Sequence, residues 1–203
     1  MRRNSRPGFP CKKKVIYLAT EGATGTEWHY VSDLCKHNNC DLNRVPGLAK
    51  DESDPVKLVN AAIKFAKTSE DKDFVFEIWV MFDNDNHLKV KEAFDIISRY
   101  NKRFNPKIRI AFNSPLVEVW GILCVDPKKK ISTTPSRCKA DLKVLMAGYD
   151  HEHNRYFNLD VMAKGLGPAL EKAEKMGQSA ECDNEYDICP YAGIYKLVKS
   201  VIE

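Results

Sequence analysis

From Phe74 to Phe82 the chain reads Phe-Val-Phe-Glu-Ile-Trp-Val-Met-Phe, and it then stops in Asp83-Asn84-Asp85-Asn86-His87. An aromatic and β-branched run bounded by turn residues is read as a buried strand. A strand without polar alternation fits a parallel sheet covered by helices on both faces. Packing gives no reason for such a strand to end in two aspartates one residue apart. At the carboxyl end of a parallel strand, Asp83 and Asp85 can open into a crevice and share a hard cation. The ordinary alternative is a polar loop whose aspartates cap the next helix. At this point both readings stand.

The flanking segments agree with a parallel sheet. Val15–Ala19 is a short apolar strand, and the turn Glu21-Gly22-Ala23-Thr24-Gly25 follows it. Trp28, Val31, Leu34 and Cys35 then recur at helical spacing. Leu42–Val45 reads as a strand ended by Pro46-Gly47. Asp54 is a candidate N-cap with Pro55 at the first helical position, ahead of the apolar stripe Leu58, Val59, Ala62, Ile63 and Ala66. His87–Lys102 is predicted helical and Ile108–Phe112 a strand. Ser114 and Pro115 are read as cap and first residue of a helix over Leu116–Cys124. Four strands alternating with four helices predict an α/β fold with a parallel sheet flanked by helices. Beyond residue 126 the pattern changes. Asp126–Lys139 reads as a basic loop, Ala140–Met146 and Leu159–Met176 as helices, and Tyr191–Ile202 as a closing helix, together a C-terminal helical lobe. The expected organisation is a basic arm at 1–14, an α/β domain at 15–126 and the lobe at 127–203.

The chain has 203 residues, 43% of them hydrophobic and 30% charged, as expected of a soluble globule with one main core. No apolar run approaches the roughly 20 residues that span a bilayer, and the N-terminus lacks a signal-peptide core, so the expected location is the cytoplasm. The net charge of +4 comes from the arm, where Arg2, Arg3, Arg6, Lys12, Lys13 and Lys14 meet no acid. Such an arm either steers the protein onto nucleic acid or is a solvated tail. The 7 cysteines form no repeated pair and are read as reduced thiols. Cys35, His37 and Cys40 offer three zinc ligands without a CxxC, a weak signal.

Parallel α/β sheets place their sites at the carboxyl ends of the strands. Here those ends supply Glu21, Asp83 with Asp85 and His87, and Asn113-Ser114 followed one helical turn later by Glu118. Taken singly, each residue has an ordinary reading. Glu21 belongs to a turn, Glu27 to a first helical turn favoured by the macrodipole, and His87 to a helix start. Glu118 stands out as a lone acid in Leu-Val-Glu-Val-Trp-Gly-Ile-Leu, because a buried carboxylate is costly unless paired or metal-bound. Together, Glu21, Asp83, Asp85 and Glu118 would repel one another, and a divalent cation removes that repulsion. No Walker A loop, GxGxxG loop or nucleophile elbow competes with this set.

Several stretches resemble the RloB-like family. Val15–Gly22 followed by Thr26-Glu27 and Tyr30 is similar to its first motif, an apolar strand ending in Glu-Gly and then Thr-Glu with an aromatic residue. Phe82-Asp83-Asn84-Asp85-Asn86-His87 resembles its Asp-x-Asp motif, and Asn113-Ser114-Pro115 with Glu118 and Trp120 its Ser-Asn-Pro-x-Phe-Glu-x-Trp motif. Gly148-Tyr149, Pro190 and Tyr195-Leu197-Val198 are looser echoes. The family is similar to Toprim-fold proteins, in which one Glu and an Asp-x-Asp pair bind Mg²⁺ for phosphoryl transfer.

The resemblance therefore implies a Toprim-like sheet with Mg²⁺ or Mn²⁺ as cofactor. It makes Glu21 a general acid/base or metal ligand, Asp83 and Asp85 metal ligands, and Glu118 a further catalytic acid. It also implies a nuclease of bacterial antiphage or abortive-infection defence, cutting RNA, with tRNA a case in point, ahead of DNA. An ABC-type ATPase and a second copy of the chain, as a homodimer, are the further expected partners. Lys12, Lys13, Lys14, Lys128, Lys129, Lys130 and His87 are the expected nucleic-acid contacts. The chain departs from the family pattern at Asn113-Ser114, where Ser-Asn is usual, and at Asp150-His151, where a basic residue often follows the Gly-Tyr pair. Two readings of other classes stay open, a non-catalytic binding or sensing subunit and an enzyme acting on a small phosphate ester.

Overall fold

The computed structural model describes residues 13–22, 25–69, 76–84, 88–151, 156–178 and 184–203. Five strands form one sheet in the order β2-β1-β3-β4-β5, where β1 is Val15–Thr20, β2 Asp41–Arg44, β3 Phe76–Asp83, β4 Ile108–Ser114 and β5 Tyr191–Ala192. The first four strands are mutually parallel, and β5 runs antiparallel to β4. The helices are α1 Thr26–His37, α2 Pro55–Lys67, α3 Val90–Arg103, α4 Glu118–Val125, α5 Pro135–Leu145, α6 Leu159–Ala163, α7 Leu166–Gln178 and α8 Ile194–Ile202.

The strand alternation sorts the core into two layers. On β3, Trp79 and Met81 face α1 and the C-terminal helices, while Ile78, Val80 and Phe82 face α2 and α3. Both faces of β3 are therefore buried, which is why its sequence shows no polar alternation. Each fully buried Ile, Leu, Val or Phe contributes about 1.5–3 kcal/mol. Helix α4 lies inside the layer that holds Trp79 and Met81, with every residue from Glu118 to Cys124 buried. It packs with α5, α6 and α7 into the same core as Ile16 and Leu18 of β1.

Local chemistry accounts for several element ends. Asp54 caps α2 by accepting from the N–H groups of Val56 and Lys57, with Pro55 at the first turn. The segment 159–176 is two helices instead of one, because Gly165 passes the backbone of Cys124 so closely that a Cβ there would stand 1.8 Å from the Cys124 carbonyl oxygen. The basic loop after residue 126 is shorter than expected, since Pro135 starts α5. The closing helix starts only at Ile194, because Tyr191 and Ala192 pair with Ser114 and Asn113 as an edge strand. Ser114 does not cap a helix. It ends β4, and α4 begins at Glu118, so the Ser114 hydroxyl is left to accept from the Asn84 side chain at 3.1 Å. Likewise α3 begins at Val90 instead of residue 87, with Leu88 fully exposed ahead of it.

The strand order also fixes where a crevice must open. From β1 the chain crosses outward to β2, then back over β1 to β3 and on to β4. The connections leaving β1 and β3 therefore diverge to opposite faces of the sheet, α1 on one and α3 on the other. This is the topological switch point of an open α/β sheet, and ligands bind beside it at the carboxyl ends of the strands. No helix among the described residues is long and apolar enough to cross a membrane.

Candidate functional site

Glu21 and Asp83 stand at the two strand ends that define this crevice. Glu21 follows Thr20, which is in register with Met81, and Asp83 is in register with Asn113 of β4. Gly22 then turns the chain with φ of 62°, a left-handed conformation that favours glycine, and its N–H donates to the Glu52 carbonyl at 3.3 Å.

Asp83 is 6% exposed and held at both oxygens. The Asn113 side-chain amide donates to Oδ1 and the Val117 backbone N–H to Oδ2, each at 3.1 Å. The orientation of the Asn113 amide is fixed in turn, because its Oδ1 accepts from the Ile194 N–H at the start of α8. For Asp83 the capping alternative takes an altered form, since among the described residues its N–H donor from a helix start is at the foot of α4, whereas Asp85 lies outside the described residues.

The electrostatics around Asp83 are one-sided. Burial, followed by the charges of Glu27, Glu21 and Glu118, pushes its carboxyl well above the usual range. Glu27 is pushed up to about 7, first by burial and then by Glu118, against the pull of His151 and Lys139. Four carboxylates from three strand-to-helix junctions therefore share one region, and no cation among the described residues forms an ion pair with Asp83. At the foot of the crevice Thr20 is fully buried, and its hydroxyl has no hydrogen-bond partner among the described residues.

Glu118 is the exception within the group. Burial drives its carboxyl up, but hydrogen bonds from His151 and Tyr149 outweigh burial and leave it below the ordinary range. The Tyr149 hydroxyl donates to Oε1 at 2.6 Å, and His151 Nδ1 stands 3.1 Å from the same oxygen. Burial and the Glu118 charge hold the Tyr149 phenol far above its normal range, so it remains a donor. Glu118 in return raises the His151 imidazole through their hydrogen bond. One residue pair further along α4, the Trp120 indole N–H donates to the Tyr30 hydroxyl at 3.0 Å and fastens α1, with Glu27, against α4.

Among the described residues no group of three His, Cys, Asp or Glu closes a metal cage. Asp85 and His87 lie outside the described residues, as does Lys12. The donors present are all oxygens, which suits Mg²⁺ or Mn²⁺. Mg²⁺ keeps several waters and needs only one or two protein carboxylates, a number that Glu21 and Asp83 can supply without a complete cage.

The expected nucleic-acid contacts are spread out. Lys13 pairs with Asp41, and Lys14 bonds Ser200 and pairs with Glu77 at 3.4 Å. Both precede β1, at the opposite end of the sheet from Glu21. Lys128, Lys129 and Lys130 follow the far end of α4, and Lys129 lies 3.7 Å from Asp141. None of these is brought to the acids. Of the basic groups that are brought there, Lys139 closes the basic stretch 128–139 expected to hold nucleic acid, whereas His151 was noted only as a departure from the family pattern, and Glu27 and Tyr149 were not singled out as site residues. The signals available were Thr26-Glu27 and Gly148-Tyr149, both parts of the family-like pattern.

A model of the RloB-like protein family matches residues 16–201, nearly the whole chain. No curated protein and no solved structure matches.

Proposed function

The chain belongs to the RloB-like family, and we propose that it is a divalent-metal-dependent nuclease whose centre is the carboxylate group Glu21, Glu27, Asp83 and Glu118 together with Asp85. The observation that carries this reading is the grouping of four acids at the topological switch point, with Asp83 pushed up by burial and by Glu27, Glu21 and Glu118, and Glu27 by burial and by Glu118. Perturbed carboxylates in a crevice mark functional sites. Structural acids are normally paired.

Glu21, Asp83 and Asp85 would hold a Mg²⁺ or Mn²⁺, which would supply charge neutralisation at a phosphodiester and a water of lowered pKa. The chain's own residues do the rest. Asn113 and Val117 aim the Asp83 carboxylate by holding one oxygen each. Glu27, with its carboxyl at about 7, can hold or release a proton near neutral pH, as a general acid or base must. Glu21 is the alternative proton carrier. Tyr149 and His151 keep Glu118 ionised and fixed.

RNA, tRNA included, is placed ahead of DNA as substrate, and bacterial antiphage defence beside an ABC-type ATPase is the proposed setting. Both rest on the family resemblance. The test is cleavage of RNA, tRNA and DNA by purified protein with Mg²⁺ or Mn²⁺, alone and with the neighbouring ATPase. Cleavage that Glu21→Gln and Asp83→Asn abolish is expected, whereas full cleavage by both variants overturns the reading. A second reading, binding without cleavage, is favoured by the engagement of both Asp83 oxygens by N–H donors. Metal-independent RNA binding with no product would select it.

A further inference from the structure

Beside the acid cluster lies a site of opposite character. Ser136, Lys139, Ala140 and Lys143 recur on α5 at three- and four-residue spacing and so form one face of that helix. That face and the segment Tyr149–His151 enclose a cavity of about 290 Å³. This lies just under the roughly 300–1,000 Å³ of pockets that take drug-sized molecules, and it suits a smaller group. His151 forms the wall between the two sites. Its Nδ1 faces Glu118 Oε1 at 3.1 Å, and its Nε2 faces the Lys139 ammonium, also at 3.1 Å.

The second of these contacts has two states. With Nδ1–H donating to the Glu118 carboxylate, a neutral imidazole can accept from Lys139 through Nε2. Once the imidazole is protonated, Nε2–H and the ammonium become two donors pointing at one another with no acceptor between them. An anionic oxygen placed against both resolves that conflict. Lys143 lines the same cavity, held by Asp150 at 2.8 Å. Among the described residues Asp150 is the one acid lining it, against Lys139, Lys143 and the ionisable His151.

We propose that this cavity is a phosphodiester-binding subsite, in which Lys139 and protonated His151 together hold a phosphate of the nucleic-acid backbone adjacent to the one presented to Asp83. The assignment to nucleic acid rests on the proposed nuclease function. The anion site itself stands on its own geometry. Occupation and protonation are linked, because each favours the other. The groups facing His151 from the packed elements are Glu118 on α4, Lys139 on α5 and Glu27 on α1, with Tyr149 and Asp150 preceding it in the chain.

Dimethyl phosphate is the probe, because its single charge is constant while histidine titrates. In metal-free protein, adding it should shift the His151 imidazole resonances saturably and raise the pKa read from their titration. Lys139→Gln should abolish both effects, while Lys102→Gln on the remote helix α3 should leave them intact. With cleavable RNA and metal, Lys139→Gln should raise KM about tenfold with little change in kcat, the loss of one charge-assisted contact. An imidazole unmoved by dimethyl phosphate, or moved equally in Lys139→Gln, overturns the subsite. That titration needs neither metal nor turnover, so it decides the subsite even if the protein cuts nothing. Conversely, cleavage that needs Asp83 but ignores Lys139 in KM leaves the nuclease reading standing without the subsite.

Discussion

Glu77 stands near the start of β3 and Asp83 at its end, and the surroundings of the two acids differ in sign. Around Glu77 the protein places Arg109 at 3.3 Å and Lys14 at 3.4 Å, with the Trp79 indole N–H at 2.8 Å and the Ser200 hydroxyl at 2.7 Å. Burial pushes the Glu77 carboxyl up, but the Ser200 and Trp79 hydrogen bonds and the two cations bring it below its ordinary value. Around Asp83 burial acts in the same direction and three carboxylates add to it. One strand thus carries an acid the protein neutralises itself and an acid it leaves facing other acids. The contrast is between a carboxylate the protein neutralises with its own cations and one it leaves among other carboxylates, as the proposed metal site requires.

The largest effect that tests this contrast is on activity. Asp83→Asn or Glu21→Gln should reduce nucleic-acid cleavage by about 10²–10⁴-fold, measured as initial rates on labelled RNA. Glu77→Gln should leave those rates unchanged.

The next effect is on stability against pH. Glu27 is raised from 4.5 to about 7, so the folded state binds more protons than the unfolded state across that window. The stability it contributes is present below about 4.5 and lost as pH rises through about 7, on the order of 3 kcal/mol. Asp83 is raised and acts in the same direction. Glu77 is lowered, so its contribution is present above the ordinary Glu range and lost as pH falls through its depressed value. Metal-free protein should therefore lose melting temperature from mildly acidic to neutral pH, and saturating Mg²⁺ should restore it, by about 2.7 kcal/mol at 100 times Kd. A melting temperature that climbs steadily over that range without metal would break the contrast.

Smaller effects sharpen it. Glu77→Gln keeps an acceptor for Trp79 and Ser200 but strands two cations, so it should cost about 1–2 kcal/mol in chemical denaturation while leaving metal affinity unaltered. Tyr149→Phe removes one of the two groups on Glu118 Oε1 and should cost about 1 kcal/mol. It should also raise the His151 pKa slightly, because Glu118 then relies on His151 alone.

Much of this arrangement was legible in the sequence. Alternating strands and helices gave the parallel sheet, and the Asp54-Pro55 start of α2 was readable from capping chemistry alone. Asp83 and Glu118 were conspicuous because acids in apolar surroundings need a reason. Other parts depend on contacts that a linear pattern does not carry. The two-residue strand β5 is too short to show a period and exists only because Asn113 and Ser114 offer it an edge. Ser-Pro at 114–115 looks like a helix start, yet β4 continues through Ser114, and the next N–H that matters, that of Val117, goes to Asp83. Glu27 reads as an ordinary first-turn acid, and only the packing of α1 against α4 sets it opposite Glu118. The lysines that looked suited to nucleic acid were conspicuous by clustering, whereas His151 is isolated in sequence and meets Lys139 only through the return of the chain after α5.

The central claim is that the acids at the ends of β1 and β3 await a cation. Calorimetric titration of the metal-free protein with Mg²⁺, repeated with Mn²⁺, tests it most directly. The account predicts saturable one-site binding that Asp83→Asn abolishes and Glu77→Gln does not alter. A silent titration, or binding that survives Asp83→Asn unchanged, would contradict it.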